Sequence, residues 1–214
     1  MNGVRFDEKH SISDWDLLMV SKTIGDPEVA TNYIDIPGRD GTLDLSEFFG
    51  GVKYKNRSFS FSFDIFQNPE EWWDLKSKIS NYLLGIKRKY TLDVDPNYYY
   101  EGRCESISFS NETTVAHINI SGQFSPYKLK KEKTIISKSV IANDTITLTN
   151  NRMNVMPIVE STSNIVFQFN NKQFSISSNT PFQSPDFILT EGENTVTIIS
   201  GTGILKFTYR EGSL

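Results

Sequence analysis

The sequence has one cysteine, Cys104, in 214 residues. A single thiol cannot close an internal disulfide, so nothing ties the chain to an oxidising compartment. No apolar run approaches the roughly 18 residues that suggest a membrane span. The opening MNGVRFDEKH lacks the apolar segment of a signal peptide. Synthesis or assembly in a cytosol, away from membranes, is therefore expected. The net charge of -4 is too mild for gripping nucleic acid by phosphate neutralisation. No nucleophile elbow, phosphate-cradling loop or dinucleotide fingerprint appears, and Gly201-Thr202-Gly203 is not a GxGxxG with a helix behind it. No catalytic, cofactor-binding or metal-ligating residues are expected, and the chain reads as a non-enzyme without cofactors.

Aromatics, by contrast, are plentiful. Fifteen Phe and nine Tyr favour sheet over helix. The segment from Tyr33 to Phe66 is the most informative. Pro37-Gly38-Arg39-Asp40-Gly41 reads as a turn between extended runs, with the glycines supplying permissive backbone angles. A strand of two-residue alternation follows, with Phe59, Phe61, Phe63 and Ile65 on one face and Ser58, Ser60, Ser62 and Asp64 on the other. Further strands are expected over Arg103–Phe109 and Val115–Phe124.

One helix is announced by Asn68-Pro69-Glu70-Glu71. Asn suits the cap, Pro the first turn, and the acids complement the helix dipole. Trp72, Leu75, Ile79 and Leu83 give it one apolar face, and Gly85 ends it. Asp93-Val94-Asp95-Pro96-Asn97 is a turn, so the flanking strand and Tyr98-Tyr99-Tyr100 make a hairpin.

Composition changes near residue 133. Residues 1–133 hold 37 charged side chains, and residues 134–214 only 11. This contrast and the basic stretch Ser125–Lys133 mark a boundary between domains 1–133 and 134–214. The second domain reads as all-β. Ile146 and Leu148 alternate, as do Ile165, Phe167 and Phe169. Asn170-Asn171 is a two-residue hairpin loop before Phe174 and Ile176. Strands Thr195–Ile199 and Ile204–Tyr209 complete a small sandwich.

In this order, PGRDG, the Phe-rich strand, the NPEEW helix, the DPNYYYEGR hairpin and the polar end LTEGENTVTIISGTGILKFTYREGSL resemble the distal tail proteins of siphophages over essentially the whole chain. The resemblance implies a mainly β fold. Its N-terminal part is a β-sandwich or split barrel with one helix and a hairpin, and its C-terminal part a galectin-like β-sandwich on the outside. It implies a homohexameric ring at the virion's tail tip with a channel for DNA. Its partners would be the tail tube protein, a tail-tip or tail-associated protein, and a receptor-binding protein. About 80 residues follow the boundary, room for one small sandwich and not for an inserted carbohydrate-binding module. A rival reading is a carbohydrate-binding or adhesion module of a phage or bacterial surface assembly.

The candidate interface residues are Arg39, Asp40, Trp73, Tyr98, Tyr99 and Tyr100. Trp72 and Trp73 point about 100° apart on a helix, so one enters the core and the other lies at a rim or meets a subunit. The three tyrosines alternate faces, which calls for a cover on both sides, from a neighbouring subunit or domain or from the chain's own helix. Arg39 and Asp40 are either a ring or channel contact or a self-satisfied turn. Asp93, Asp95 and Glu101 lack the density and glycine of a calcium loop. His117 reads as a polar sheet residue, and Cys104 as a packed thiol.

Overall fold

A computed structural model describes residues 2–48, 50–112 and 114–214. The chain divides into two compact units, Met1–Lys128 and Leu129–Leu214, and the division falls inside the basic stretch Ser125–Lys133.

The first unit holds strands β1 (Val4–Phe6), β2 (Lys9–His10), β3 (Leu17–Ile24), β4 (Tyr33–Asp35), β5 (Thr42–Asp44), β6 (Arg57–Ile65), helix α1 (Trp72–Leu83), β7 (Lys87–Leu92), β8 (Tyr98–Asn111) and β9 (Ala116–Phe124). The main sheet runs β2-β1-β7-β8-β9-β6-β3, and every neighbouring pair along it is antiparallel. The alternation of β6 and β9 puts Phe59, Phe61, Phe63 and Ile65 beside Ala116, Ile118, Ile120 and Phe124 in one core. Helix α1 lays Trp72, Leu75, Ile79 and Leu83 into that core. Two hydrogen bonds pin the helix region: Trp72 Nε1 donates to the Gln67 carbonyl at 2.9 Å, and the Tyr82 hydroxyl to the Phe6 carbonyl at 2.9 Å.

The helix start departs from expectation. Pro69–Glu71 forms a 3-10 turn before α1, and the Asn68 side chain makes no capping hydrogen bond. The cap region is used up by the tighter turn, in which the Glu71 amide donates to the Asn68 carbonyl at 2.9 Å. Gly85, at φ 73°, takes the left-handed angle after the helix.

β3 and β6 are the two legs of one long ribbon. Beyond Ile24 and Phe59 the chain stays paired through Gly25–Ser58 and Val29–Tyr54 and ends in the two-stranded hairpin β4–β5. Its tip is the Pro37–Gly41 turn, where Gly38 (φ 81°) and Gly41 (φ 76°) occupy the left-handed region that side chains disfavour.

Short strand β10 (Lys128–Lys130) lies at the division and pairs with β18 (Gly212–Ser213) near the end of the chain. Between them lie β11 (Thr134–Val140), β12 (Thr145–Asn150), β13 (Ile158–Ser161), β14 (Ile165–Phe169), β15 (Lys172–Ile176), β16 (Gly192–Ser200) and β17 (Gly203–Tyr209). They form two antiparallel sheets, β11-β17-β13 and β12-β16-β14-β15. The inward residues share one core built on Phe167, Phe187 and Phe207. The architecture is mainly β with one α-helix, as the sequence implies.

Candidate assembly surfaces

The first candidate surface is the arm β4–β5 of the first unit. Its apolar residues Val29, Tyr33, Ile34 and Ile36 are exposed. A lone two-stranded hairpin is marginally stable in water, so the arm relies on local ties. Asp44 Oδ1 accepts the Ser46 amide at 2.9 Å, and Ser46 Oγ accepts the Asn32 amide at 2.8 Å. The hydrogen bonds from Ser46 hold the Asp44 carboxyl below its ordinary range. Arg39 and Asp40 sit exposed at the tip, and the Arg39 amide donates to the Ile36 carbonyl at 3.1 Å.

The second surface surrounds the helix start. Trp72 is 3% exposed and Trp73 61%. The Trp73 ring lies 5.1 Å from that of Phe109 on β8, with Lys76 Nζ 5.6 Å from its centroid. Phe66, at the end of β6, is exposed as well.

Tyr98, Tyr99 and Tyr100 alternate in burial, and side chains from β6, β7, β9 and β10 lie against them. Tyr99 is 6% exposed, with Lys89 Nζ 5.1 Å from its ring. Tyr100 stacks on Phe124 at 4.9 Å and faces the Arg57 guanidinium. Tyr98 lies under Lys128 Nζ at 4.7 Å. The hydrogen bond from Lys128 to Asp95 holds the ammonium above its ordinary range. The tyrosines are thus half-buried or buried, whereas Arg39, Asp40 and Trp73 are exposed.

The acidic residues of this region each meet a separate base. Asp93 meets His10 Nε2 at 3.1 Å, Asp95 meets Lys128 at 2.8 Å, and Glu101 meets Lys87 at 2.9 Å. His117 lies opposite the core face and meets Asp64 at 2.7 Å. Cys104 is buried, and burial pushes its thiol up to about 11, which leaves it inert near neutrality.

Sequence reasoning missed the free edge of the main sheet and the run of β8 past β7. Among the described residues β3 pairs with β6 alone, so its other side is an edge. β7 pairs with β8 only over Tyr100–Arg103, and β9 covers the opposite side of β8. Past Arg103, β8 runs on beyond its pairing with β7, with β9 alongside it over Ser106–Asn111. The cue lay in the length of β8, 14 residues against six for β7. Strand lengths read from sequence were too short to show it.

No protein-family model matches the chain, and no curated protein does either. A solved structure does. It is the crystal structure of the Dit protein (gp 19.1) of SPP1, described as a paradigm of the hub adsorption apparatus in phages that infect Gram-positive bacteria. The likeness covers 98% of this chain and 99% of that chain, with a TM-score of 0.68. This chain has the fold of a phage tail hub. Sequence identity is 12%, so the likeness to Dit is one of fold. The family resemblance read from the sequence and the Dit fold agree.

Proposed function

We propose that the protein is a distal tail hub of a phage or prophage, located at the tail tip of the virion and assembled in the bacterial cytoplasm. Six copies form a ring that joins the tail tube to a tail-tip or tail-associated protein and leaves a channel for DNA. The first domain supplies the ring. The second, a galectin-like sandwich in this reading, is available to a receptor-binding protein. The observation that carries the reading is the end-to-end likeness to Dit, which includes both units and leaves almost nothing of either chain over.

Two features of the first unit support it. The arm presents apolar side chains on a ribbon too thin to bury them itself. Trp73 offers a large, mostly open aromatic of the kind that anchors interfaces. In this reading the arm tip, with Arg39 and Asp40, and Trp73 meet other subunits. Tyr98, Tyr99 and Tyr100 act indirectly by fixing the β7–β8 hairpin.

Negative-stain microscopy of the purified chain, paired with its native mass, tests the proposal. Six-fold rings with a central hole are the expected outcome. A monomer that fails to assemble even with tail partners, and that binds a glycan, would favour the carbohydrate-binding alternative.

A further inference from the structure

We propose that the groove between helix α1 and the loop joining β2 to β3 binds a short, extended segment of a partner polypeptide, one that carries a lysine or arginine and an aliphatic side chain. The groove belongs to a single copy of the chain, so the proposal needs neither six copies nor any way of joining them.

The groove has a volume of about 580 Å³, within the range of pockets that take ligands. Trp15 borders it on the loop side, and Glu71, Leu75, Lys78 and Tyr82 border it along the helix. Those helix positions recur at four, three and four residues, so they share one face. From Glu71 to Tyr82 the helix rises about 16 Å, the length of about five residues of extended chain. Both walls are tied down. The Tyr82 hydroxyl donates to the Phe6 carbonyl at 2.9 Å, and Gln67 Nε2 donates to the Trp15 carbonyl at 3.3 Å. A site that is already formed spends little binding energy on ordering itself.

The aromatic end of the groove suits a polypeptide. The rings of Trp15 and Tyr82 meet at 76° with their centroids 5.6 Å apart, which makes an apolar corner. Trp15 is 7% exposed and Tyr82 is half-buried. Neither ring is therefore an open plate for a sugar to stack on, whereas an aliphatic side chain fits a corner. The indole N–H of Trp15 makes no hydrogen bond among the described residues, which is unusual for a tryptophan this buried. A main-chain carbonyl laid along the groove is the kind of acceptor it lacks.

Charge decides the sign of the partner. Lys9 pairs with Asp14 at 3.1 Å and Lys78 with Asp74 at 2.6 Å, and all four lie around the groove. Glu71 is left over. It stands at the start of α1, makes no side-chain capping hydrogen bond and, among the described residues, forms no ion pair. A lysine or arginine at this end of the segment gives Glu71 its counter-charge in a charge-assisted hydrogen bond. An acidic segment meets an unpaired like charge and is rejected.

An array of random pentapeptides, probed with the intact chain, tests the proposal. The retained peptides are expected to combine a lysine or arginine with an aliphatic residue. Glu71→Gln should weaken the best of them by about tenfold in solution titrations, the loss of one hydrogen bond to a charged group. Lys78→Glu adds an acid to the groove and should tighten the same peptides. Both positions are exposed, so both variants should keep the wild-type melting curve. No retained peptide, a preference for acids, or a preference for bases that neither variant alters would overturn the assignment. Each result is read equally well on rings or on monomers, so failure of the groove and failure of the hub reading remain distinct.

Discussion

The indole of Trp73 packs 5.1 Å from the ring of Phe109, while the adjacent Trp72 turns inward and donates from Nε1 to the Gln67 carbonyl at 2.9 Å. Two neighbouring tryptophans thus divide the labour between core and surface. Trp72→Ala should cost about 3–5 kcal/mol of stability, as a core deletion. Trp73→Ala should cost only about 1 kcal/mol, the worth of an aromatic pair, yet lower the oligomer mass. Urea melts and native mass on both variants separate the two effects. Equal destabilisation by both would contradict the division.

Tyr90 lies at the centre of the first core, fully buried, with its ring 5.3 Å from Phe6 and 4.9 Å from Phe124. Among the described residues its buried hydroxyl makes no well-formed hydrogen bond, with only the Cys104 backbone beside it. Tyr90→Phe keeps the ring packing and removes that unsatisfied oxygen, so stability should hold or rise by up to about 1 kcal/mol. A drop of the melting temperature would show that the hydroxyl has a partner, such as a buried water.

Much of this core was legible in the sequence. Phe59, Phe61, Phe63 and Ile65 alternate strictly, and all four are buried; Trp72, Leu75, Ile79 and Leu83 fall on one helical face, and all four meet them. Period and burial are local properties, so one sequence carries them. The free edge of β3 and the run of β8 past β7 were not legible. How far two strands run side by side is a property of pairing and not of either segment. The covers of Tyr98, Tyr99 and Tyr100 escaped for the same reason, since Lys89, Phe124 and Lys128 are brought to them by register. The Asn68 cap failed more locally, because Pro69–Glu71 wound into a 3-10 turn.

Glu211 sets a pH dependence for the second unit. Burial alone would raise its carboxyl, but hydrogen bonds from Thr134 and from Lys130, at 2.9 Å, outweigh burial and hold it below the ordinary 4.5. A depressed folded value means that the stabilisation is complete above the unfolded value and is lost as pH falls through the folded one. The second unit should therefore weaken below about pH 4.5. Glu211→Gln should be less stable at pH 7 and flatter between pH 3 and 5. Thermal melts across that range check it, and a wild-type curve that is flat below pH 4.5 would remove Glu211 from the account.

The β14–β15 hairpin turns on Asn170 and Asn171, at φ 45° and 62°. Both sit in the left-handed region that asparagine tolerates better than other side chains. Asn171→Ala should cost about 1–2 kcal/mol. Asn171→Gly should be near neutral, because relief of the backbone angle is offset by the greater freedom of the unfolded chain. Equal losses in the two variants would point to the asparagine side chain instead of its backbone angle.

In the proposed reading, Arg39 and Asp40, exposed at the arm tip, bear on assembly and not on folding. The turn that holds them is built by Gly38 and Gly41, so its shape does not need the two charges. They are adjacent, exposed and far in sequence from the core residues of the same unit. Arg39→Glu should leave the melting curve within about 0.5 kcal/mol of wild type, as an exposed substitution. If the arm tip meets another subunit, the same change places two acids at the contact and should lower the oligomer mass, with a recovery at high salt that reflects screening of an exposed pair. Asp40→Lys should act with the opposite sign, and the two together, which restore one charge of each kind, should recover part of the assembly. An oligomer mass that ignores all three variants would make the Arg39–Asp40 turn a self-contained feature and leave the apolar side chains Tyr33, Ile34 and Ile36 as the part of the arm that another subunit covers.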